Sequence, residues 1–100
     1  MNIIIGNPKD QRVVKLNRQI SNSIVTNTYC KLKHIKETVV IIIPYELINN
    51  NGFIQNTEIS LDELLLKMPV EKIVYGNHLN KSILKEYEKT YHIKVIEFAF

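Results

Sequence analysis

Five consecutive β-branched residues, Val39-Val40-Ile41-Ile42-Ile43, stand near the middle of the chain and stop at Pro44. A strand with one face in water alternates apolar and polar residues, whereas an unbroken apolar run needs cover on both faces. Such strands lie at the centre of parallel sheets, between layers of helices. The run is far too short to cross a bilayer. It sits within 100 residues that are 45% hydrophobic and 23% charged, with 3 Gly, 3 Pro, 1 Cys and no Trp. That balance excludes disordered, collagen-like and disulfide-scaffold chains, and it suits one globular domain over residues 1–100.

The flanking segments alternate between strand and helix patterns. Ile3-Ile4-Ile5 is a short buried strand stopped by Gly6. Val13, Leu16 and Ile20 then recur at helical spacing, with Asn7 as the expected N-cap, Pro8 as the first helical residue and Ser21-Asn22 as the end. Ser23 to Thr26 forms a second strand, and residues 27–38 supply at most a degenerate turn that brings Leu32 and Ile35 onto the sheet. After Pro44, residues 45–57 read as a small hairpin or exposed flap turning at Asn51-Gly52. Ser60 and Glu63 have the spacing of a capping box for a short helix carrying Leu61, Leu64 and Leu65 to Met68-Pro69. Lys72 to Tyr75 followed by Gly76 repeats the strand-then-glycine pattern of the N-terminus. A helix bearing Ile83, Leu84, Tyr87 and Tyr91, capped by Asn80 or Ser82, leads to a fifth strand, Ile93 to Phe98.

Strands separated by helices predict an α/β domain of Rossmann-like or flavodoxin-like form. Its five-stranded, mainly parallel sheet would have the order 2-1-3-4-5, with helices on both faces. Ligands of such sheets bind beyond the C-terminal strand ends, where the order reverses. That point brings Gly6, Asn7 and Pro8 beside Pro44, Tyr45 and Glu46, with Gly76, Asn77 and His78 one strand further along.

The residues that could carry chemistry are few. The first turn, Gly6-Asn7-Pro8-Lys9-Asp10-Gln11, has one glycine where a dinucleotide fingerprint needs three, and Pro8 removes a backbone donor. An anion at that helix N-terminus stays open. His34 and His92 have no partner at ligand spacing and read as ordinary imidazoles, while His78 stands at the predicted ligand edge. Cys30 reads as a small buried hydrophobe, and as the lone cysteine it cannot close an internal disulfide, which makes the cytoplasm the expected compartment. No triad, carboxylate dyad or metal cluster assembles, so no catalytic and no metal-binding residue is assigned. The net charge of +3 comes from 13 basic residues of which only Arg12 and Arg18 are arginine. That lysine bias speaks against nucleic acid as a partner, and the apolar runs speak against a membrane span.

In order and spacing these features resemble the N-terminal domain of the A subunits of dipicolinate synthase, the dihydrodipicolinate dehydrogenase of bacterial sporulation. The likeness rests on the strand into Gly6 followed by Asp10-Gln11-Arg12, and on the apolar strand ending in Pro44. It extends through Gly52-Phe53-Ile54 to Glu58-Ile59-Ser60-Leu61, the strand ending in Gly76, and Val95-Ile96-Glu97-Phe98. The family's turn reads Gly-Gly-Asp-x-Arg-Gln, so two additional residues precede Asp10 here. The resemblance implies a substrate-side domain in which Gly6, Asn7, Asp10, Arg12, Pro44, Tyr45, Gly76 and His78 surround a small dicarboxylate. Arg12, Tyr45 and His78 would be its polar contacts. NADP would bind only through a separate domain bearing a Gly-x-Gly-x-x-Gly loop, so no cofactor site is expected within these residues. The rival expectation is a stand-alone Rossmann-like module without catalysis. In that reading the Asn-rich flap and the apolar Phe98-Ala99-Phe100 serve association with itself or with a partner subunit.

Overall fold

The computed structural model describes residues 1–76 and 81–100. Five strands form one sheet: β1 (Asn2–Ile5), β2 (Ser23–Thr26), β3 (Val39–Ile43), β4 (Val70–Gly76) and β5 (Lys94–Phe98). Their order is β2-β1-β3-β4-β5 and every neighbouring pair is parallel. The apolar run at 39–43 is thus the central strand, as its composition requires. The helices are α1 (Gln11–Gln19), α2 (Leu61–Lys67) and α3 (Lys81–Tyr91).

Strand alternation divides the core into two layers. Ile3, Ile5, Ile41, Ile43, Ile73 and Tyr75 face one side. There they pack under α2 (Leu61, Leu64), α3 (Leu84, Tyr87) and the 3-10 turn Cys30–Leu32, which seats Leu32 on the sheet. Ile4 and Ile42 face the other side and meet Val13 of α1, with Leu16, Ile20, Val25, Val40 and Val74 around them. Two helices and a turn therefore cover the first face, while among the described residues α1 is the helix on the second.

The segment after Pro44 is not an exposed flap. It folds as a compact hairpin in which Ile48 and Ile54 form an antiparallel bridge and Phe53 bridges Ser60. Ile48, Ile54 and Ile59 are buried in the first layer, where they extend the helical cover. Gly52 makes the turn at φ 84°, in the left-handed region that a glycine enters without a Cβ clash.

Three local readings of the sequence are corrected. Helix α1 begins at Gln11 rather than Pro8, because Asp10 and not Asn7 caps it: the Asp10 carboxylate accepts from the Arg12 amide at 2.9 Å. Asn7 instead closes the preceding turn, its side chain accepting from Lys9 N at 2.9 Å. Ser60 is the N-cap of α2 but makes no side-chain cap bond, and Glu63 pairs with Lys67 at 2.7 Å instead of reaching back. The Ser60 backbone is held by the Tyr29 hydroxyl. Cys30 is exposed, because the short turn that points Leu32 inward rotates Cys30 outward. Ser82 falls inside α3, and Asn80, the other expected cap, lies outside the described residues.

Candidate functional site

The β1 strand ends at Ile5, and its neighbour β3 ends at Ile43, so Gly6 and Pro44 stand side by side at the reversal of strand order. Gly6 is buried where α1 crosses closest, and a Cβ there would come within 3.2 Å of Val13 Cγ2. The absence of a side chain at Gly6 lets α1 lie tightly over the sheet. Asn7 and Asp10 then shape the strand-to-helix connection, with Asp10 N donating to Asn7 O at 3.0 Å.

Asp10 also fixes Arg12. Its Oδ1 accepts from Arg12 Nε at 3.2 Å and its Oδ2 from Nη2 at 2.8 Å, a side-on fork that leaves Nη1 outside the pair. The guanidinium beside it holds the Asp10 carboxyl below its ordinary range, and Asp10 in turn raises Arg12. Both groups thus keep their charges throughout the neutral range. The helix N-terminus that the sequence left open to an anion is occupied by this carboxylate. Arg12 Cζ lies 4.2 Å from the centre of the Tyr45 ring, a cation–π contact that joins α1 to the residue after Pro44. Tyr45 meets the edge of Phe100 at a centroid distance of 6.3 Å, and Phe100 leans on Phe98 at 4.9 Å.

These contacts frame a groove of about 390 Å³ between α1 and the residues that follow β5. One wall is Arg12, Lys15, Leu16 and Gln19, successive positions on one face of α1, and the other is Tyr45, Phe98, Ala99 and Phe100. The groove is cationic at one side and aromatic at the other. Since Arg12 is paired with Asp10, Lys15 supplies its uncompensated positive charge among the lining residues.

Of the residues singled out in the sequence, Gly6, Asn7, Asp10, Arg12, Pro44 and Tyr45 gather at this edge, but only Arg12 and Tyr45 line the groove. Gly76 is one strand further, in register with Phe98. His78 lies outside the described residues. Lys15, Gln19 and Phe98 to Phe100 line the groove without a sequence motif that marks them for it. The signal for the first wall was the helical face through Arg12, Lys15 or Leu16, and Gln19. The second wall depends on the course of the chain after β5, which no spacing within it specifies.

Two other concavities lie away from the strand-order reversal. One, of about 330 Å³, opens between the 3-10 turn and α2 and is bounded by Tyr29, Leu32, Lys33, Ile35 and Lys67. The other, of about 210 Å³, lies between the hairpin tip and α3 and contains Asp62, Glu86 and Tyr87. Burial and the Asp62 carboxylate raise the Tyr87 phenol well above its ordinary value, so it remains a neutral hydrogen-bonding group. Among the described residues no cluster of three or more His, Cys, Asp or Glu side chains could hold a metal, and no helix is long and apolar enough to cross a membrane. No family model matches the chain, and comparison with curated proteins and with solved structures returns no match.

Proposed function

We propose that this domain binds a small planar dicarboxylate of the dipicolinate type, as the substrate-side part of a dehydrogenase whose cofactor platform is a separate domain. The observation that supports this reading is the groove at the strand-order reversal, where a cationic helix face stands opposite three aromatic rings. A ring bearing carboxylates is complementary to both walls: the ring stacks on Tyr45 or the phenylalanines, and a carboxylate accepts from Lys15 Nζ or the outer edge of Arg12. Hydride transfer needs a nicotinamide platform as well, and none of the 3 glycines here lies in a Gly-x-Gly-x-x-Gly loop. The role within these residues is therefore to bind and orient.

The test is an NMR titration with pyridine-2,6-dicarboxylate, read at the amides of Lys15, Tyr45 and Phe100. Saturable shifts at all three are expected. Lys15→Met should weaken binding about tenfold, or about 1.4 kcal/mol, by removing one charge-assisted contact. Lys15 is the better probe than Arg12, whose loss would also disturb the Asp10 cap. An absence of saturable shifts, or the same affinity in Lys15→Met, would exclude the assignment.

A further inference from the structure

The second face of the sheet is only half covered. Helix α1 buries Ile4 and Ile42, but among the described residues no helix lies above those of β4 and β5 on the same face. Val74 is half-buried, while Ile96, Phe98 and the following Phe100 are 36%, 56% and 37% exposed. Between them and α1 runs an apolar trough of about 300 Å³, floored by Ile42 and Val74 and walled by Leu16, Ile20, Phe98 and Phe100. The uncovered strip is two strands wide. At roughly 4.8 Å per strand it is close to 10 Å across, the diameter of one α-helix.

The described charged side chains of β4 and β5 on this face are both lysines. Lys72 of β4 and Lys94 of β5 are register partners. Alternation places both on the open face, with Val74 and Ile96. Like charges side by side on adjacent strands oppose one another, so this pair gives the isolated fold nothing. The acidic residues of the same strands, Glu71 and Glu97, have the opposite parity and belong to the other face. Lys15 lies on α1 beside Leu16, which walls the trough, and itself lines the neighbouring groove.

We propose that the open half-face is the docking site for an amphipathic helix of a partner protein, one with an apolar stripe at i, i+3/i+4 and i+7 and acidic residues on its flanks. The stripe would fill the trough over Val74, Ile96 and Phe98, and the carboxylates would meet Lys72 and Lys94 at the N-terminal end of the two strands and Lys15 along α1. A second copy laid face to face would bring the same lysine-bearing face to the contact and no carboxylate of β4 or β5, since Glu71 and Glu97 have the opposite parity. This inference goes beyond ligand binding in the neighbouring groove.

The probes are two labelled helical peptides with identical leucine stripes, one flanked by Glu and one by Lys, followed by fluorescence anisotropy on the intact chain. The Glu-flanked peptide is expected to bind at least about tenfold more tightly, with affinity falling as salt rises. The double variant Lys72→Glu/Lys94→Glu should reverse the preference, and Phe98→Asp should abolish binding of both. Circular dichroism checks that each variant keeps its fold, Lys72 being half-buried and Lys94 and Phe98 exposed. Pyridine-2,6-dicarboxylate binding should survive Lys72→Glu/Lys94→Glu, which separates this result from failure of the ligand reading. Equal affinity for the two peptides, no binding of either, or an unreversed preference would overturn the proposal. So would a chain dimer in sedimentation that Phe98→Asp dissociates, because the face would then belong to a second copy.

Discussion

The Tyr29 hydroxyl donates to the Ser60 carbonyl at 3.1 Å and accepts from the Ser60 amide at 2.8 Å, across 31 residues of sequence. It takes the Ser60 amide that the Glu63 side chain of a capping box would have accepted from, and it ties the 3-10 turn to the start of α2. Burial raises the Tyr29 phenol, and the Lys67 ammonium lies 4.4 Å from the ring centre, so the ring is clamped from two directions. Tyr29→Phe keeps the ring and removes the two bonds to Ser60 together with the hydroxyl's interaction with Glu63. The expected loss is about 1–3 kcal/mol of unfolding free energy, read as a lower urea midpoint at unchanged m-value. Ser60→Ala, by contrast, should change stability by less than about 0.5 kcal/mol, since its hydroxyl makes no cap bond. Equal effects of the two substitutions would show that the cap is local after all. A capping box is legible as a spacing, but a tyrosine that displaces it from 31 residues away leaves no local trace.

At the scale of elements, the strands were legible because β-branched runs bounded by Gly6, Pro44 and Gly76 have few alternatives. The strand order followed from parallel crossovers and short connections. Helix starts were less so. Asn7-Pro8 has the chemistry of a helix start, yet Asp10 offers both a cap and an ion-pair partner for Arg12, and the structure uses Asp10. The hairpin at 45–60 shows the same limit in another form. Its turn was evident from Asn51-Gly52, whereas its burial depends on Ile48, Ile54 and Ile59 joining α2 and α3 over the first sheet face. The tip is held tightly. A Cβ on Gly52 would collide with the Tyr87 hydroxyl and lie 3.3 Å from Asp62 Oδ2, at a φ that side chains rarely adopt. Gly52→Ala should therefore cost about 1–3 kcal/mol through strain and the displacement of Tyr87. Hydrogen exchange should show the loss of protection concentrated at Gly52, Ile54 and Leu61, whose amides bond to Asn49, Ile59 and Gly52. Protection lost evenly over all strands would instead mark the hairpin as one cooperative unit with the sheet.

Across the whole molecule the two faces of the sheet are unequal, and the inequality links fold to function. The sealed face concentrates the hydrophobic stabilisation, with Ile3, Ile5, Ile41, Ile43 and Ile73 fully out of water beneath α2, α3 and the hairpin. The other face is closed over β1 and β3 and open over β4 and β5, and both the candidate ligand groove and the apolar trough lie along that boundary. The upper end of that boundary lies beside Gly6 and Pro44, where the strand order reverses. The sequence does not reveal the open half-face, because an exposed Ile96 or Phe98 in a strand pattern looks the same as one awaiting a helix. Truncation should separate the two faces energetically. Ile41→Ala removes a side chain that is 0% exposed and should cost about 2–5 kcal/mol. Phe98→Ala, at a residue 56% exposed, should change stability by no more than about 0.5 kcal/mol in the isolated chain. Urea melts at two protein concentrations provide the check. A Phe98→Ala penalty comparable to that of Ile41→Ala and growing with concentration would mean that the open face is already covered in solution by another copy. A penalty near zero at both concentrations leaves the face uncovered in the isolated chain, as a helix-docking surface requires.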